Sequence, residues 1–440
     1  MRTRMLFFPA IAFATGCAAQ TLPVGQTGIT TWQSGKTGAV SLTFDDGIRT
    51  QFSDALPIMD HFHLPATFFV ITGPIIGSRY PSRFIGRPIS DIIRETGETA
   101  TGKENFFERA SAARYLGFKG TLAYYDRASE LYESGRIDSA YHLMDELYRK
   151  VRSGDLLPGA DTSMEIANET GLTWDYLRQL AAKGYEIASH TVTHEHLAIM
   201  DTSNMMYELR KSRQDILDHL GSKYTFSAEV PFGIDDPRVM KAALPVYPAL
   251  RNLMPEPYMT EINRGKRQQP NASDKPYVQW QRGPGTRTTL SRLESWVDTT
   301  LSHNNIWLVL VVHGVDGVGW EPMTRQILYT YFQYIHDQEK YLWVATFRDV
   351  TKYMRERMDN KPQVKVGGKF IQVKLRPSLD TSVYDIPLTL KTYVPQSWNG
   401  VLVLQGKSSR TYPTARDGGG TFVLYEVVPD DRPIRVTRKD

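Results

Sequence analysis

Short apolar runs alternate with amphipathic segments along most of the chain. Residues 40–44 and 65–71 are apolar almost throughout, and residues 48–62 between them place apolar positions on one side of a predicted helix. Continuous apolar strands separated by helices are typical of a parallel sheet that is covered on both faces. The pattern therefore predicts an α/β domain.

The same alternation resumes later in the chain. Residues 174–183 predict a helix that Gly184 ends, and residues 205–220 predict a second amphipathic helix. Further strands are predicted at 185–189, 224–230, 246–253, 277–281, 306–312 and 341–347. The expected fold class is α/β, a distorted (β/α) barrel of about 7–8 parallel strands. We expect this barrel to span residues 36–358.

Residues 78–165 interrupt the alternation of strands and helices. This segment contains little strand pattern, and from Ile137 onward its apolar positions recur in steps of three and four, which is helical spacing. We expect a helical insertion of two or three helices here. It either caps one edge of the barrel or forms a wall of the substrate groove.

From about residue 360 the pattern changes to short alternating strands. Turns rich in Gly, Pro and Asp separate the stretches 370–375, 386–394, 401–404 and 422–428. They predict a small antiparallel, β-sandwich-like domain over residues 360–440. This domain is expected to be a packing or spacing module, or else a glycan-binding module with Trp398 as a stacking residue.

The N-terminus is typical of an export signal. Arg2 and Arg4 precede an apolar run over 6–13 that is too short to span a bilayer. Residues 14–17 resemble a bacterial lipoprotein cleavage box, which predicts a signal peptide over 1–17 and a lipid anchor on Cys17. The alternative is plain export with cleavage near Ala19. Residues 18–35 predict a tether, and the expected location is the periplasm or the cell envelope.

Composition narrows the class of function. The 440 residues are 41% hydrophobic and 23% charged, as in globular proteins, and the net charge is only +4. Because the basic residues form no dense cluster, we expect no nucleic-acid partner. One cysteine excludes an internal disulfide. Membrane association is expected only through the lipid anchor.

Titratable side chains follow three of the predicted strands. Asp45 and Asp46 end the first strand, His190 and His194 follow another, and His313 ends a very apolar one. The carboxyl ends of parallel strands lie on the face of a barrel where active sites are built. One Asp with two His is a reasonable open site for Zn²⁺ or a similar divalent ion. The other Asp would then accept a proton from a metal-bound water, and His313 would protonate the leaving atom.

The motifs around these side chains resemble those of the polysaccharide deacetylase family, which is also called the NodB-homology group or carbohydrate esterase family 4. The matching stretches are TFDDG at 43–47, HTVTH at 190–194, PFG at 231–233, the strand that ends at His313, and supporting stretches at 65–70 and 172–187. The resemblance covers about residues 36–75 and 170–355. It implies a distorted (β/α) barrel, in agreement with the strand pattern.

The resemblance also implies a role for each matching residue. Asp45 corresponds to the catalytic base and His313 to the general acid. The backbone N–H of Phe232, in the position of the family's Tyr, would stabilise the tetrahedral oxyanion. The ligands of one divalent metal ion, Zn²⁺ with Co²⁺ or Ni²⁺ as alternatives, correspond to Asp46, His190 and His194.

Three positions depart from the family's pattern. Glu229 stands where an Arg usually steadies the base, so Arg282 or Arg251 is expected to take over that contact. Gln279 stands where an Asp usually supports the acid His. Val311 replaces a Leu that usually lines the pocket of the acetyl methyl group.

Aromatic side chains are expected at the catalytic rim. Trp280, Trp320 and Tyr258 are predicted to lie in loops or at strand ends, where each would either stack on a sugar ring or pack against its neighbours. Trp320 follows the Gly-rich loop 314–319 and is the favoured substrate contact.

The expected function is hydrolysis of N- or O-linked acetyl groups on an acetylated polysaccharide or oligosaccharide, by attack of a metal-bound water. One alternative is a non-catalytic carbohydrate-binding envelope protein on the same scaffold, which the presence of Asp45 and of the three metal-site residues disfavours. The other alternative is a metallohydrolase of small amides, which a closed pocket walled by the insertion would favour.

Overall fold

The structure is a computed structural model that describes residues 22–169, 171–258, 261–262, 270 and 273–439. The chain forms two units. Among the described residues, the larger unit consists of those in 31–359 and 379–386, and the smaller unit consists of 22–30, 360–378 and 387–439. The predicted signal peptide and Cys17 lie outside the described residues. Within those residues, no helix is both long and apolar enough to cross a bilayer.

The first described strand, β1 (Thr27–Ile29), belongs to the smaller unit. It pairs antiparallel with residues 390–392, and the hydroxyl groups of Thr27 and Thr392 are 2.9 Å apart. The sequence predicts a tether over 18–35, and this part of that prediction is wrong. Three residues with a Gly in the middle are too short a stretch to carry a strand signal, and their conformation is set by a distant partner strand.

The larger unit is built on a parallel half-barrel of nine strands within the described residues. They run in the spatial order β6-β5-β4-β3-β2-β9-β8-β7, and β10 pairs with the start of β2. Every residue of the central strands β2 and β3 is buried, because helices cover both faces of the sheet. The strands are β2 (Gly38–Asp46), β3 (Ala66–Val70), β4 (Glu186–Ser189), β5 (Ser227–Ala228), β6 (Ala249–Leu250), β7 (Glu261–Ile262), β8 (Val278–Arg282), β9 (Ile306–Val312) and β10 (Leu342–Val344).

Helix α1 (Leu56–Phe62) follows β2 after one π-helical turn over Gln51–Ala55, where the sequence predicts a continuous helix. Five described helices then form the insertion between β3 and residue 170, more than the two or three that the sequence predicts for it. Glycines at positive φ separate several of these helices, as Gly120 and Gly135 do on either side of α4. The five are α2 (Ile89–Glu95), α3 (Phe106–Ala113), α4 (Thr121–Glu133), α5 (Ile137–Ser153) and α6 (Met164–Asn168).

The insertion has a hydrophobic core of its own. Phe106, Tyr125, Met144, Leu147 and Tyr148 are all buried within one cluster that is separate from the core under the half-barrel. The remaining helices cover the sheet. They are α7 (Trp174–Ala182), α8 (Thr202–Leu220), α9 (Pro237–Ala243), α10 (Leu290–Ser302), α11 (Arg325–Asp337) and α12 (Phe347–Asp359).

The smaller unit is an antiparallel sheet in the order β1-β13-β16-β15-β14-β17-β12-β11. The first half of β15 pairs with β14 and its second half with β16, so one strand joins the two parts of the sheet. The strands that follow β1 here are β11 (Gln363–Val366), β12 (Phe370–Lys374), β13 (Leu388–Tyr393), β14 (Gly400–Gln405), β15 (Ser408–Asp417), β16 (Gly420–Val427) and β17 (Ile434–Arg438).

Two features of the smaller unit differ from the sequence predictions. The sequence does not predict the strands β11, β15 and β17: β15 is mostly polar and exposed, and β11 and β17 alternate over only four and five residues. Trp398, predicted as a possible stacking residue for glycan, is only 8% exposed and packs inside the unit. Its ring therefore has no open face for a sugar.

Candidate metal centre and catalytic face

The predicted chemical groups meet at the carboxyl ends of neighbouring parallel strands. Asp45 and Asp46 are the last two residues of β2, His190 directly follows β4, and His313 directly follows β9. Since β3 and β9 flank β2 and β4 is the next strand along, these ends share one face of the half-barrel. The loop after β4 places His194 beside Asp46 and His190 on this face.

Asp46, His190 and His194 form a cluster of His and carboxylate side chains that could hold a metal ion, and it is the one such cluster in the described residues. Their candidate ligand atoms all lie within 4.8 Å of one another. Oδ1 of Asp46 is 3.4 Å from Nε2 of His190 and 3.3 Å from Nε2 of His194. All three side chains are buried, so a cation between them would be largely shielded from solvent.

The hydrogen bonding of these residues fits a divalent cation. Nδ1 of His190 donates to the carbonyl of Glu229 at 2.9 Å, which directs the lone pair of Nε2 toward Asp46. Oδ1 of Asp46 is buried and has no hydrogen-bond partner among the described residues. Burial lowers the pKa of His194 to about 3, so this imidazole is neutral and able to coordinate.

The backbone around the centre is held in a sparsely populated conformation. Asp46, Thr191 and His194 have positive φ angles of 76°, 67° and 59°, a region that costs energy for residues with a side chain. The carboxylate of Glu208 fixes this turn, because it accepts hydrogen bonds from the N–H groups of Val192 and Thr193 and from the Thr193 hydroxyl. Burial, followed by the charge of Glu195, raises the pKa of Glu208 to about 7.

Arg251, which directly follows β6, steadies Asp45. Its guanidinium donates to Oδ1 of Asp45 at 2.8 Å and to Oδ2 at 2.5 Å, and its Nε lies 3.2 Å from the carboxylate of Glu229. All three side chains are buried. Burial alone would raise the pKa of Asp45, but the charges of Arg251, His313 and His190 lower it below its ordinary value. Glu229 and Arg251 thus supply the contact that the family's pattern assigns to a single Arg.

The side chains of β8 differ from their predicted places. Trp280 is fully buried in the core of the half-barrel, so the prediction that it lies at the rim is wrong. Trp280 lies two residues before the end of β8, and its side chain packs into the core, so it does not reach the catalytic rim. Arg282 lies against the Trp280 ring at 4.4 Å, and it is Arg251 that makes the contact with both oxygens of the base.

Gln279 and Gln281 of β8 also have a structural role. Their amide groups donate to the backbone carbonyl of Arg251 at 3.1 and 2.5 Å. These bonds connect β8 to the chain just after β6 and hold the backbone of Arg251 in place. Tyr258, predicted at the rim, instead packs beside Arg355 of α12, with the guanidinium 4.8 Å from its ring.

His313 faces Asp45 across the site. Its Nε2 is 3.7 Å from Oδ2 of Asp45, and its ring contacts the edge of Trp320 at 4.8 Å between centroids. The amide of Gln51 donates to the carbonyl of His313 at 2.7 Å and also to the carbonyl of Asp45, which ties the two strand ends together. Trp320 is 53% exposed, as expected for a substrate contact.

Phe232 closes the other side of the centre. Its backbone has a positive φ of 59°, which is strained for a residue with a side chain. The Phe232 ring stacks on His196 at 3.7 Å between centroids and contacts His194 edge to face at 4.7 Å. The residue is 48% exposed. Behind it, a cavity of about 160 Å³ is lined by His194 together with Tyr125 and Asp126 of the helical insertion. The insertion therefore contributes a wall next to the centre.

Sequence reasoning missed several residues of this site. Arg114 of the insertion pairs with the buried carboxylate of Glu195 at 2.9 Å, and His196 lies 3.4 Å from Asp126. The charged stretch His194-Glu195-His196, at the end of the HTVTH motif, was a usable signal that this loop makes polar contacts. The partner residues in the insertion could not be identified, because nothing in a single sequence relates a distant helix to this loop.

Together, a parallel half-barrel and a buried carboxylate-imidazole centre at the carboxyl ends of its strands define an α/β domain with a candidate metal site. The model of the polysaccharide deacetylase family matches residues 33–99 and 153–245, on both sides of most of the insertion. Both segments lie in the larger unit, and together they contain Asp45, Asp46, His190, His194 and Phe232, so this part of the chain is similar to the polysaccharide deacetylase family, as the sequence motifs indicate.

Individual proteins are similar to this chain over different lengths. A gellan lyase from Bacillus sp is 27% identical over 291 residues, which is 59% of this chain and 11% of that relative. A family 4 carbohydrate esterase from Streptomyces lividans has a TM-score of 0.33 at 12% identity, over 72% of this chain and 95% of its own. A peptidoglycan deacetylase from Bacillus subtilis also has a TM-score of 0.33, at 10% identity, over 73% and 94%. The fold described above rests on the chain's own strand pairing.

Proposed function

We propose that the larger unit is a metal-dependent deacetylase that hydrolyses N- or O-linked acetyl groups on a polysaccharide or oligosaccharide. The observation that carries this proposal is the buried group of Asp46, His190 and His194 beside a separately held Asp45. Its position within the residues that match the model of the polysaccharide deacetylase family supports the substrate class.

Asp45 is the general base in this mechanism. A divalent cation held by Asp46, His190 and His194 would lower the pKa of a water molecule and polarise the acetyl carbonyl. Asp45 accepts the proton of the attacking water, because Arg251 keeps its carboxyl ionised and fixes the orientation of both oxygens. A bidentate contact also restrains the carboxylate from turning away from the water.

His313 is the general acid. Its Nε2 lies 3.7 Å from Asp45, so both proton-transfer groups border one small space in which the reacting acetyl group would sit. The imidazolium donates its proton to the leaving nitrogen or oxygen as the tetrahedral state collapses. The backbone N–H of Phe232 would stabilise the oxyanion of that state. The same residues serve an amide and an ester, since both pass through this kind of intermediate.

The experiment that tests the proposal measures acetate release from acetylxylan, chitooligosaccharides and peptidoglycan fragments. Two variants separate the roles of adjacent residues: Asp45→Asn should bind metal and lose activity, whereas Asp46→Asn should lose both. Asp316→Asn, which removes a half-exposed carboxylate paired with Arg325, is the matched control and should retain activity. Metal-loaded protein that releases no acetate from any of these substrates would refute the proposal.

The metal and the location are part of the same proposal. Two imidazoles and one carboxylate suit Zn²⁺ best, with Co²⁺ or Ni²⁺ as alternatives. Metal analysis of the purified protein decides between them.

We propose that the protein is exported to the cell envelope and anchored through a lipid on Cys17. Labelling with a radioactive fatty acid tests this, with a Cys17→Ser variant as the control.

A further inference from the structure

A second cleft lies beside the catalytic face, at the end of β8. It has a volume of about 620 Å³ and is separate from the cavity next to the insertion. We name it the arginine cleft, after three of the residues that line it: Arg282, Arg287 and Arg292. Trp320 and Glu321 also line it. The metal-site residues are not part of its lining.

The arginine cleft carries an excess of positive charge. Glu321 is the acidic residue in its lining, and this carboxylate is engaged by the backbone N–H and the hydroxyl of Thr286 at 2.8 and 2.9 Å. Arg282 is only 5% exposed, whereas Arg287 and Arg292 are exposed. Burial, and after it the nearby charge of Arg292, lowers the pKa of Arg282 to about 10.

The cleft is continuous with the catalytic face through Trp320. This side chain lines the cleft and also contacts the edge of His313 at 4.8 Å. The backbone supports the same arrangement, because Arg282 pairs with Leu310, only three residues before His313. A sugar chain with its acetyl group at His313 would therefore place the neighbouring residue in the arginine cleft. One aromatic ring next to several guanidinium groups suits a sugar that carries an anionic group.

We propose that the arginine cleft binds an oxyanion, a carboxylate or a sulfate, on the sugar next to the acetylated one, so that the substrate is an acidic polysaccharide. This inference rests on the deacetylase function proposed above. It makes Arg282, Arg287 and Arg292 residues that determine specificity rather than catalytic residues. Guanidinium groups match both oxyanions with paired hydrogen bonds, so the chemistry of the anion is left for the experiment to distinguish.

The first arm of the test measures binding without catalysis. Affinity electrophoresis of the full-length protein in gels with polygalacturonate, dextran sulfate or neutral dextran gives a dissociation constant for each polymer. The test variant is Arg287→Gln/Arg292→Gln, which changes exposed side chains only. The matched control, Arg210→Gln/Arg416→Gln, removes the same charge from exposed positions outside the cleft. We expect the test variant to bind the acidic polymer about tenfold more weakly, and the control variant to bind it like the wild type.

The second arm measures acetate release from acetylated xylooligosaccharides with and without a glucuronate side group. We expect the wild type to prefer the acidic substrate, and the test variant to lose about tenfold in the ratio of the two kcat/KM values. Equal binding of acidic and neutral polymers by the wild type, or an equal loss in both double variants, would overturn the inference. Selective binding of acidic polymers without any acetate release would instead refute the deacetylase proposal and leave the anionic cleft supported.

Discussion

Replacement of Arg251 by Met is the sharpest test of how the site is built. Arg251 is buried between two carboxylates, with 2.5 and 2.8 Å contacts to Asp45 and a 3.2 Å contact to Glu229. Met has a similar length and no charge, so the substitution leaves both carboxylates buried without their cation. We expect a large loss of stability and a large loss of activity, for two different physical reasons.

The size of the stability loss follows from the burial of the pair. Removal of one partner from a buried ion pair destabilises a protein by about 3–5 kcal/mol, because the remaining charge has no solvent and no counterion. For a unit of this size, the average unfolding entropy per residue converts 1 kcal/mol into about 1.4 °C in Tm. The expected decrease is therefore about 4–7 °C in the transition of the larger unit. The rate should fall by about a hundredfold or more, since Asp45 is no longer oriented toward the water.

Differential scanning calorimetry and acetate release at 25 °C measure the two effects separately. Arg109→Met is the matched control, because Arg109 is also fully buried and pairs with Glu95 at 3.2 Å, but inside the core of the insertion. It should lower Tm and retain its rate at 25 °C. Arg251→Lys should recover part of the stability and little of the rate, since Lys cannot form the bidentate contact. A Tm within 1 °C of the wild type for Arg251→Met would refute the reasoning.

Three further outcomes are expected. Removal of the metal by a chelator should lower Tm by about 4 °C when the metal was present at 100 times its dissociation constant, and Zn²⁺ should restore it; an unchanged Tm would contradict the metal site. Trp320→Ala should raise KM several-fold at unchanged Tm, because an exposed ring that stacks on sugar contributes about 1 kcal/mol to binding. Burial raises the pKa of Glu356 to about 8, so stability from its protonation is present at low pH and is lost as the pH rises through 8. Between pH 6 and 9 the Tm of the wild type should therefore fall by about 3–4 °C relative to the Tm of Glu356→Gln. If Tm varied with pH in the same way for both proteins, Glu356 would not be protonated in the folded state.

The half-barrel could be predicted from the sequence because its strands are buried on both faces. Runs such as 306–312 and 65–71 are apolar almost throughout, and the predicted strands of the larger unit correspond to observed ones. The strand β7 was missed because its two residues, Glu261 and Ile262, lie outside any apolar run in the sequence. In the smaller unit, β15 was missed because its ten residues are mostly polar and exposed. Hydrophobic pattern identifies buried strands and says little about strands that face solvent.

The candidate metal site was predictable because its residues directly follow strands whose ends meet. The partner of Asp45 was not predictable, since Arg251 lies within one predicted strand and Arg282 follows another, and the sequence does not show which guanidinium faces Asp45. Trp280 illustrates the same limit, because alternation along a strand decides whether a side chain points into the core or toward solvent, and a one-residue error in register reverses the answer.

The helical insertion has a consequence for how the chain folds. Thr67 of β3 hydrogen-bonds to Glu186 of β4, its neighbour in the sheet, although 119 residues separate them in sequence. For an unstructured loop of this length, closure would carry a large entropic cost and slow the pairing of the two strands. Because the insertion buries a core of its own, it can fold early and shorten the effective loop before β4 arrives. On the ribosome, the five helices emerge between the two strands, so the order of synthesis matches the order in which the sheet can form.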